Sequence, residues 1–222
     1  MASSYDLVIF DCDGVLVDSE RIANEVFRRI LTEETGIMFS LEQMFDTFVG
    51  HSQAHCMEKL EKILGYAPPD LIAERYNQEI NQTLSEQVEA VQGIHNVLID
   101  LPLPYCVASS GSYEKMELTL GKTGLKRFFG NNIYSTSDVS RGKPHPDIYL
   151  HAAKLMGVDV PRRCLVIEDS PVGVTGAIAA GMTVFGFAEL MPREKLLKQG
   201  AHLIFDKMEN LPDLIAQLIE PD

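Results

Sequence analysis

The chain has 222 residues, 45% of them hydrophobic and 23% charged, which is enough apolar material for one or two globular domains and excludes a disordered, collagen-like or coiled-coil chain. Its 32 acidic against 19 basic residues leave a net charge of -13, so a nucleic acid or an anionic membrane would be repelled, and an anionic substrate needs a cation close by. No apolar run approaches the roughly 18–20 residues that span a bilayer, and the residues from Met1 to Asp6 lack the basic stretch and cleavage site of a signal peptide.

Leu7 to Phe10 is a short apolar run that stops at Asp11-Cys12-Asp13-Gly14, which predicts a buried parallel strand with acids at its carboxyl end. From Ser19 to Gln87 the periodicity turns helical, with Ile22, Val26, Phe27, Ile30 and Leu31, then Met57, Leu60, Ile63 and Leu64. This predicts a helical insertion over residues 17–90 of an α/β core made of residues 1–16 and 91–222. Tyr105 to Ala108 repeats the strand pattern before Ser109-Ser110-Gly111, and a helix follows from Ser112 or Tyr113 to Leu120. Asp147 to Met156 reads as a helix behind Pro144 and Pro146. Cys164 to Ile167 is a strand before Glu168-Asp169-Ser170, and Pro171 opens a helix that Gly181 stops. Met182 to Phe187 and Leu203 to Phe205 are further strands, and Leu211 to Ile219 a closing helix. Strands alternating with helices give a Rossmann-like, doubly wound parallel sheet, in which ligands bind beyond the carboxyl ends of the strands.

Cys12, Cys56, Cys106 and Cys164 form no CxxC pair, so neither a thiolate zinc site nor a dithiol is indicated. A reduced, cytoplasmic protein is expected, in which the sequon Asn81-Gln82-Thr83 has no use. The acidic surface favours a soluble monomer.

Four groups of residues carry chemistry. Asp11 and Asp13, two apart at a strand end, can both face one pocket and divide labour between nucleophile or metal ligand and acid/base; the same pattern also serves as an Asx-turn. Gly14 lets the backbone approach a ligand. Adjacent Glu168 and Asp169 repel unless a cation lies between them, and with Asp11 they suit Mg²⁺, which takes carboxylates, water and phosphate oxygens; Asp169 or Ser170 could equally cap the next helix. Ser109, Ser110 and Gly111 at a helix start offer hydroxyl and N–H donors to a phosphate, or merely cap the helix. Lys143, in the stiff loop Gly142-Lys143-Pro144-His145-Pro146, can bind a carboxylate and a phosphoryl group together, or stay a surface lysine.

In their order along the chain these four groups resemble the motifs of the haloacid dehalogenase superfamily, specifically its Mg-dependent phosphatases. The stretch from Asp11 to Ser19 is similar to the first family motif almost letter for letter, and Ser109, Lys143 and Glu168-Asp169-Ser170 match the second, third and fourth. The helical insertion is similar to the cap of the β-phosphoglucomutase-like subgroup. The resemblance implies that Asp11 forms an aspartyl-phosphate, and that Asp13 protonates the leaving alcohol and then deprotonates the attacking water. It further implies that Asp11, the Asp13 carbonyl and Asp169 hold Mg²⁺ with Glu168 aiding, directly or through water, and that Ser109 and Lys143 bind phosphoryl oxygens. The substrate would be a small phosphate ester.

Asp13 separates this chain from the dehalogenases of the superfamily, which lack the second aspartate. The mutases carry a cap arginine where Gln53 stands and a histidine where Ala23 stands, so the resemblance favours a sugar-phosphate phosphatase over a phosphomutase. A non-catalytic phosphometabolite binder is a further alternative. Gly50, His51, Ser52 and Gln53 are expected to contact substrate from the cap. The same stretch imitates the G-x-S-x-G elbow of a serine esterase at Ser52, but the preceding sequence is helical and no acid and base follow in order. His51 and His55 stand four apart without a third metal ligand.

Overall fold

The computed structural model describes residues 5–49 and 53–219, in two compact units: Met1–Asp18 with Glu89–Asp222, and Ser19–Val88. Along the chain, β1 (Leu7–Phe10) is followed by four helices, α1 (Ser19–Thr35), α2 (Leu41–Phe48), α3 (Gln53–Leu64) and α4 (Asp70–Gln87). Then come α5 (Ile94–Asp100), β2 (Tyr105–Ser109), α6 (Tyr113–Lys122), α7 (Lys126–Phe129) and β3 (Ile133–Ser135). The chain closes with α8 (Asp147–Leu155), β4 (Cys164–Glu168), α9 (Pro171–Ala179), β5 (Thr183–Phe187), α10 (Arg193–Lys198), β6 (Leu203–Phe205) and α11 (Leu211–Ile219).

The six strands form one parallel sheet in the order β3-β2-β1-β4-β5-β6. Every residue of β1 and β4 is buried, as expected of central strands covered by helices on both faces. The strand order reverses between β1 and β4, and such a switch point opens a crevice at the carboxyl ends. Register fixes what stands there. Phe10 pairs with Ile167 on one side and Val107 on the other, so Asp11 emerges beside Glu168, with Ser109 at the end of the flanking strand.

Helix starts follow their caps. The Ser112 side chain accepts from the Lys115 N–H to open α6, and the Ser170 side chain accepts from the Gly173 N–H, with Pro171 first in α9. The sheet unit also takes in Val17, Asp18, Glu89 and Ala90, because Val17 bridges to Ala90 and the Asp18 N–H donates to the Glu89 carbonyl. β3, α5, α7 and α10 have no counterpart in the sequence reading. β3 is three residues long and is held at the edge by pairing Ile133, Tyr134 and Ser135 to β2, information that no local pattern carries.

The helical unit has its own core. Val26, Ile30, Leu31, Met44, Phe48, Cys56, Leu60 and Ile72 are buried together, and Phe27 stands edge-on to Phe48 with ring centroids 5.1 Å apart. A capping box of Ser40 and Gln43 starts α2. Arg75 ties α4 to α1 through Glu33 and Glu34. Among the described residues no helix is long and apolar enough to cross a membrane.

Candidate active site

Asp11 leaves the end of β1 with its N–H donated to the Ile167 carbonyl at 3.0 Å, and its side chain is almost fully buried. The Lys143 ammonium bridges Asp11 Oδ1 and Glu168 Oε1, each at 2.6 Å. Lys143 is itself only 3% exposed, so it is no surface lysine; the peptide that follows it, Lys143–Pro144, is cis. Glu168 is fully buried and saturated. Its Oε1 accepts from Lys143 and from the Tyr149 hydroxyl at 2.7 Å; its Oε2 accepts from the Ser170 N–H at 3.0 Å and the Ser170 hydroxyl at 2.9 Å. Those four donors fill the roughly four acceptor positions of a carboxylate.

Asp169 completes the acidic group. Ligand oxygens of Asp11, Glu168 and Asp169 all lie within 4.8 Å of one another. Two glycines make room for these acids. Gly14 has φ +77°, and a Cβ there would lie 2.0 Å from Asp169 Oδ2. A Cβ on Gly173 would lie 1.9 Å from Glu168 Oε1. Neither position can take a side chain without moving an acid.

Asp13, two residues beyond Asp11, forms an ion pair with Lys115, Nζ to Oδ1 2.7 Å. Ser109 is buried at the end of β2, and its hydroxyl oxygen accepts from the Gly111 N–H at 3.0 Å. The Gly111 carbonyl accepts from the Ser135 hydroxyl at 2.8 Å, so the edge strand braces this turn. Ser110 is exposed, and its carbonyl accepts from Thr136.

The electrostatics follow from one buried ammonium among three carboxylates. Burial pushes the Asp11 carboxyl up to about 7; Lys143 opposes this, and the charges of Glu168 and Asp13 add to it. Burial also disfavours the Lys143 cation, but Asp11 and Glu168 outweigh it and hold its pKa well above the usual lysine value. Burial, then the charges of Asp13 and Asp11, push the Cys12 thiol well up, which keeps it protonated and unreactive between the two aspartates. The three acids of the cluster offer only carboxylate oxygens as ligands, and the single Lys143 ammonium leaves them net negative, which suits a hard divalent cation. The donor set therefore fits Mg²⁺.

The residues singled out in the sequence thus converge at the carboxyl ends of β1, β2 and β4: Asp11, Asp13, Gly14, Ser109, Gly111, Lys143, Glu168 and Asp169. Gly50, His51 and Ser52 lie outside the described residues, and Gln53 opens α3. The esterase elbow at Ser52 lacks its strand, since the preceding element is α2. His55 lies 3.2 Å from Glu58 on an exposed helix face. Lys115, Tyr149 and Gly173 were missed. Each carries a signal in hindsight: a lysine in the first turn of a helix opposes the helix dipole, a glycine in a first turn lowers propensity, and a buried tyrosine needs a partner for its hydroxyl.

Comparison with known proteins gives the family. Residues 5–181 match the family model "haloacid dehalogenase-like hydrolase". The chain is 32% identical over 213 residues to 6-phosphogluconate phosphatase of Escherichia coli (strain K12), covering 96% of this chain and 95% of that one. A haloacid dehalogenase-like protein of unknown function from Agrobacterium tumefaciens superposes with a TM-score of 0.92 at 38% identity, covering 97% of this chain and 100% of the other. A HAD family hydrolase from Deinococcus radiodurans, solved with bound phosphate and sodium, gives 0.85 at 31% identity over the whole of both chains. With its doubly wound sheet and its strand-end carboxylates, the chain belongs to the haloacid dehalogenase-like hydrolases.

Proposed function

We propose that the protein is a Mg²⁺-dependent phosphatase of small phosphate esters, sugar or sugar-acid phosphates foremost, working through a phosphoryl group carried on Asp11. The observation that carries this reading is Lys143 held between Asp11 and Glu168 at 2.6 Å beside Asp169. Phosphoryl transfer asks a protein chiefly for positioning and for cancellation of charge, and this cluster supplies both.

Asp11 is the nucleophile. Lys143 orients its carboxylate and can also meet a phosphoryl oxygen. Its buried setting leaves that carboxylate poorly hydrated, and a desolvated nucleophile needs less reorganisation before attack. Ser109 can donate its hydroxyl proton to a second phosphoryl oxygen while its own oxygen accepts from Gly111. Asp13 gives a proton to the leaving alcohol and later takes one from the water that frees Asp11. Mg²⁺ would be held by Asp11, Asp169 and the Asp13 carbonyl, and when bound it supplies charge neutralisation for the phosphoryl oxygens. We assign Glu168 to Lys143 rather than to the metal, because four donors already fill its oxygens. The similarity to a 6-phosphogluconate phosphatase over nearly the full length supports a phosphorylated sugar acid as the first ester to try.

The test is phosphate release from a panel of sugar phosphates, sugar-acid phosphates and nucleotides, with Mg²⁺ and with EDTA, for wild type and Asp11→Asn. Metal-dependent release abolished in Asp11→Asn is the expected result. Interconversion of hexose 1- and 6-phosphates without release would replace the phosphatase by a phosphomutase. A folded wild type that turns over no ester would leave a binding protein.

A further inference from the structure

Lys115 has no part in the mechanism above, yet its ammonium stands 2.7 Å from Asp13 Oδ1. It lies in the first turn of α6, where the helix dipole disfavours a cation, so its placement calls for a local anion, and Asp13 supplies one. The side chains of the pair are 32% and 18% exposed. Partly exposed ion pairs contribute little to stability, so the contact matters for where it holds the carboxyl group.

The space above Gly111 shows that geometry. A Cβ there would have Ser109 Oγ at 3.3 Å, Asp13 Oδ2 at 3.6 Å and Lys115 Cδ at 3.6 Å. One oxygen of Asp13 is engaged by the lysine, and the other borders the same space over Gly111 as Ser109 Oγ, the hydroxyl assigned to the phosphoryl group. Gly111 keeps the space between them open.

We infer that Lys115 is a positioning residue for Asp13, fixing Oδ1 so that Oδ2 faces the leaving-group oxygen. The inference rests on the phosphatase reading above. In the step concerned, an Asp11 oxygen bonds to phosphorus, the bond from phosphorus to the leaving oxygen breaks, and its electron pair stays on that oxygen. The proton on Asp13 Oδ2 passes to the leaving oxygen, and the negative charge left on Asp13 faces the Lys115 ammonium. Without Lys115 the Asp13 carboxyl loses this anchor, and proton delivery loses alignment while attack by Asp11 does not.

The experiment measures kcat/KM, with Mg²⁺ at one fixed pH, for a series of substituted phenyl phosphates running from phenyl to p-nitrophenyl phosphate. Wild type, Asp13→Asn, Lys115→Met and Lys115→Arg are compared. The kcat/KM value reports the step in which the leaving group departs. General acid catalysis contributes roughly 10²–10⁴-fold, so a misaligned acid is expected to cost Lys115→Met about 10–100-fold on phenyl phosphate. On p-nitrophenyl phosphate, whose leaving group needs no proton, the loss is expected to stay below about 3-fold. Asp13→Asn shows the same steepening more strongly, and Lys115→Arg keeps the shallow wild-type dependence. A loss in Lys115→Met that is equal across the series, or no loss at all, would overturn the proposal while leaving the phosphatase reading intact. A wild type that cleaves none of the series nor any ester of the wider panel overturns both. If Lys115→Met and Lys115→Gln both fail to fold, the pair is structural and the positioning role is wrong.

Discussion

Lys143 is the residue on which the site's charge balance turns. It is buried against Asp11 and Glu168, and removing one member of such a group leaves an uncompensated buried charge, which typically costs about 3–5 kcal/mol. Lys143→Met is therefore expected to lower the midpoint of chemical denaturation sharply and to abolish turnover. Mg²⁺ should recover more stability in this variant than in wild type, since the ion replaces part of the missing positive charge. Equal stability of Lys143→Met and wild type in EDTA would show that the ammonium does not balance the carboxylates. Tyr149 is the quieter partner. Its hydroxyl donates to Glu168 Oε1 at 2.7 Å in a fully buried setting, and a hydrogen bond to a charged group is worth about 1.5–3 kcal/mol. Tyr149→Phe should lose about that much stability in a urea titration, with kcat falling more than KM rises, because Glu168 then holds Lys143 less firmly. The sequence made Asp11, Asp13, Lys143 and Asp169 legible because each sits at a strand end or in a stiff loop. Tyr149 was hidden in the apolar face of α8, where a buried ring is ordinary and only the folded chain brings its hydroxyl to Glu168.

At the scale of elements, the junction of β4 and α9 does the positioning. Ser170 caps α9 and at the same time donates to Glu168, so one residue fixes both the helix start and the carboxylate. Gly173 stands in the first turn with no room for a Cβ, which would lie 1.9 Å from Glu168 Oε1. Alanine is the better helix former there by about 1 kcal/mol, so helix propensity alone would make Gly173→Ala stabilising. Displacement of Glu168 should reverse that sign. A shift of about 1 Å in such a group can cost about 10²-fold in rate, and Gly173→Ala is expected to fold but to lose turnover on that scale. Unchanged kcat in a variant with normal circular dichroism would show that Glu168 is free to shift without consequence. The strands β1, β2 and β4 and the helices that follow β2 and β4 were readable from apolar runs ending in Gly, Ser and Asp. The edge strand β3 and the short helices α5, α7 and α10 were not, because three to seven residues carry too little periodicity and depend on neighbours for their form.

At the scale of the whole molecule, a chain of net charge -13 gathers three carboxylates at one strand-end crevice and places a single ammonium, that of Lys143, against two of them. A cation bound only by the folded state raises stability by mass action, about 2.7 kcal/mol at 100 times its dissociation constant. For a chain of this length that corresponds to a rise in Tm of roughly 5–10 °C. Mg²⁺ is expected to give that rise in wild type and EDTA to remove it, while Asp169→Asn should show little response to either. The same response in Asp169→Asn would assign the effect to general binding on an acidic surface. The helical unit was legible as a change of periodicity over some seventy residues, whereas the hydrogen bond from the Asp18 N–H to the Glu89 carbonyl joins distant parts of the chain and leaves no local trace. A phosphoryl group carried on Asp11, as proposed, can be read directly. Wild type is mixed with Mg²⁺ and its best ester, quenched in acid within the first turnover, and reduced with borohydride, which converts an aspartyl-phosphate to homoserine. Peptide mapping is expected to find homoserine in place of Asp11, absent from samples without substrate. Rapid phosphate release with Asp11 unmodified at every quench time would mean that water attacks the ester directly, and Asp11 would not be the nucleophile.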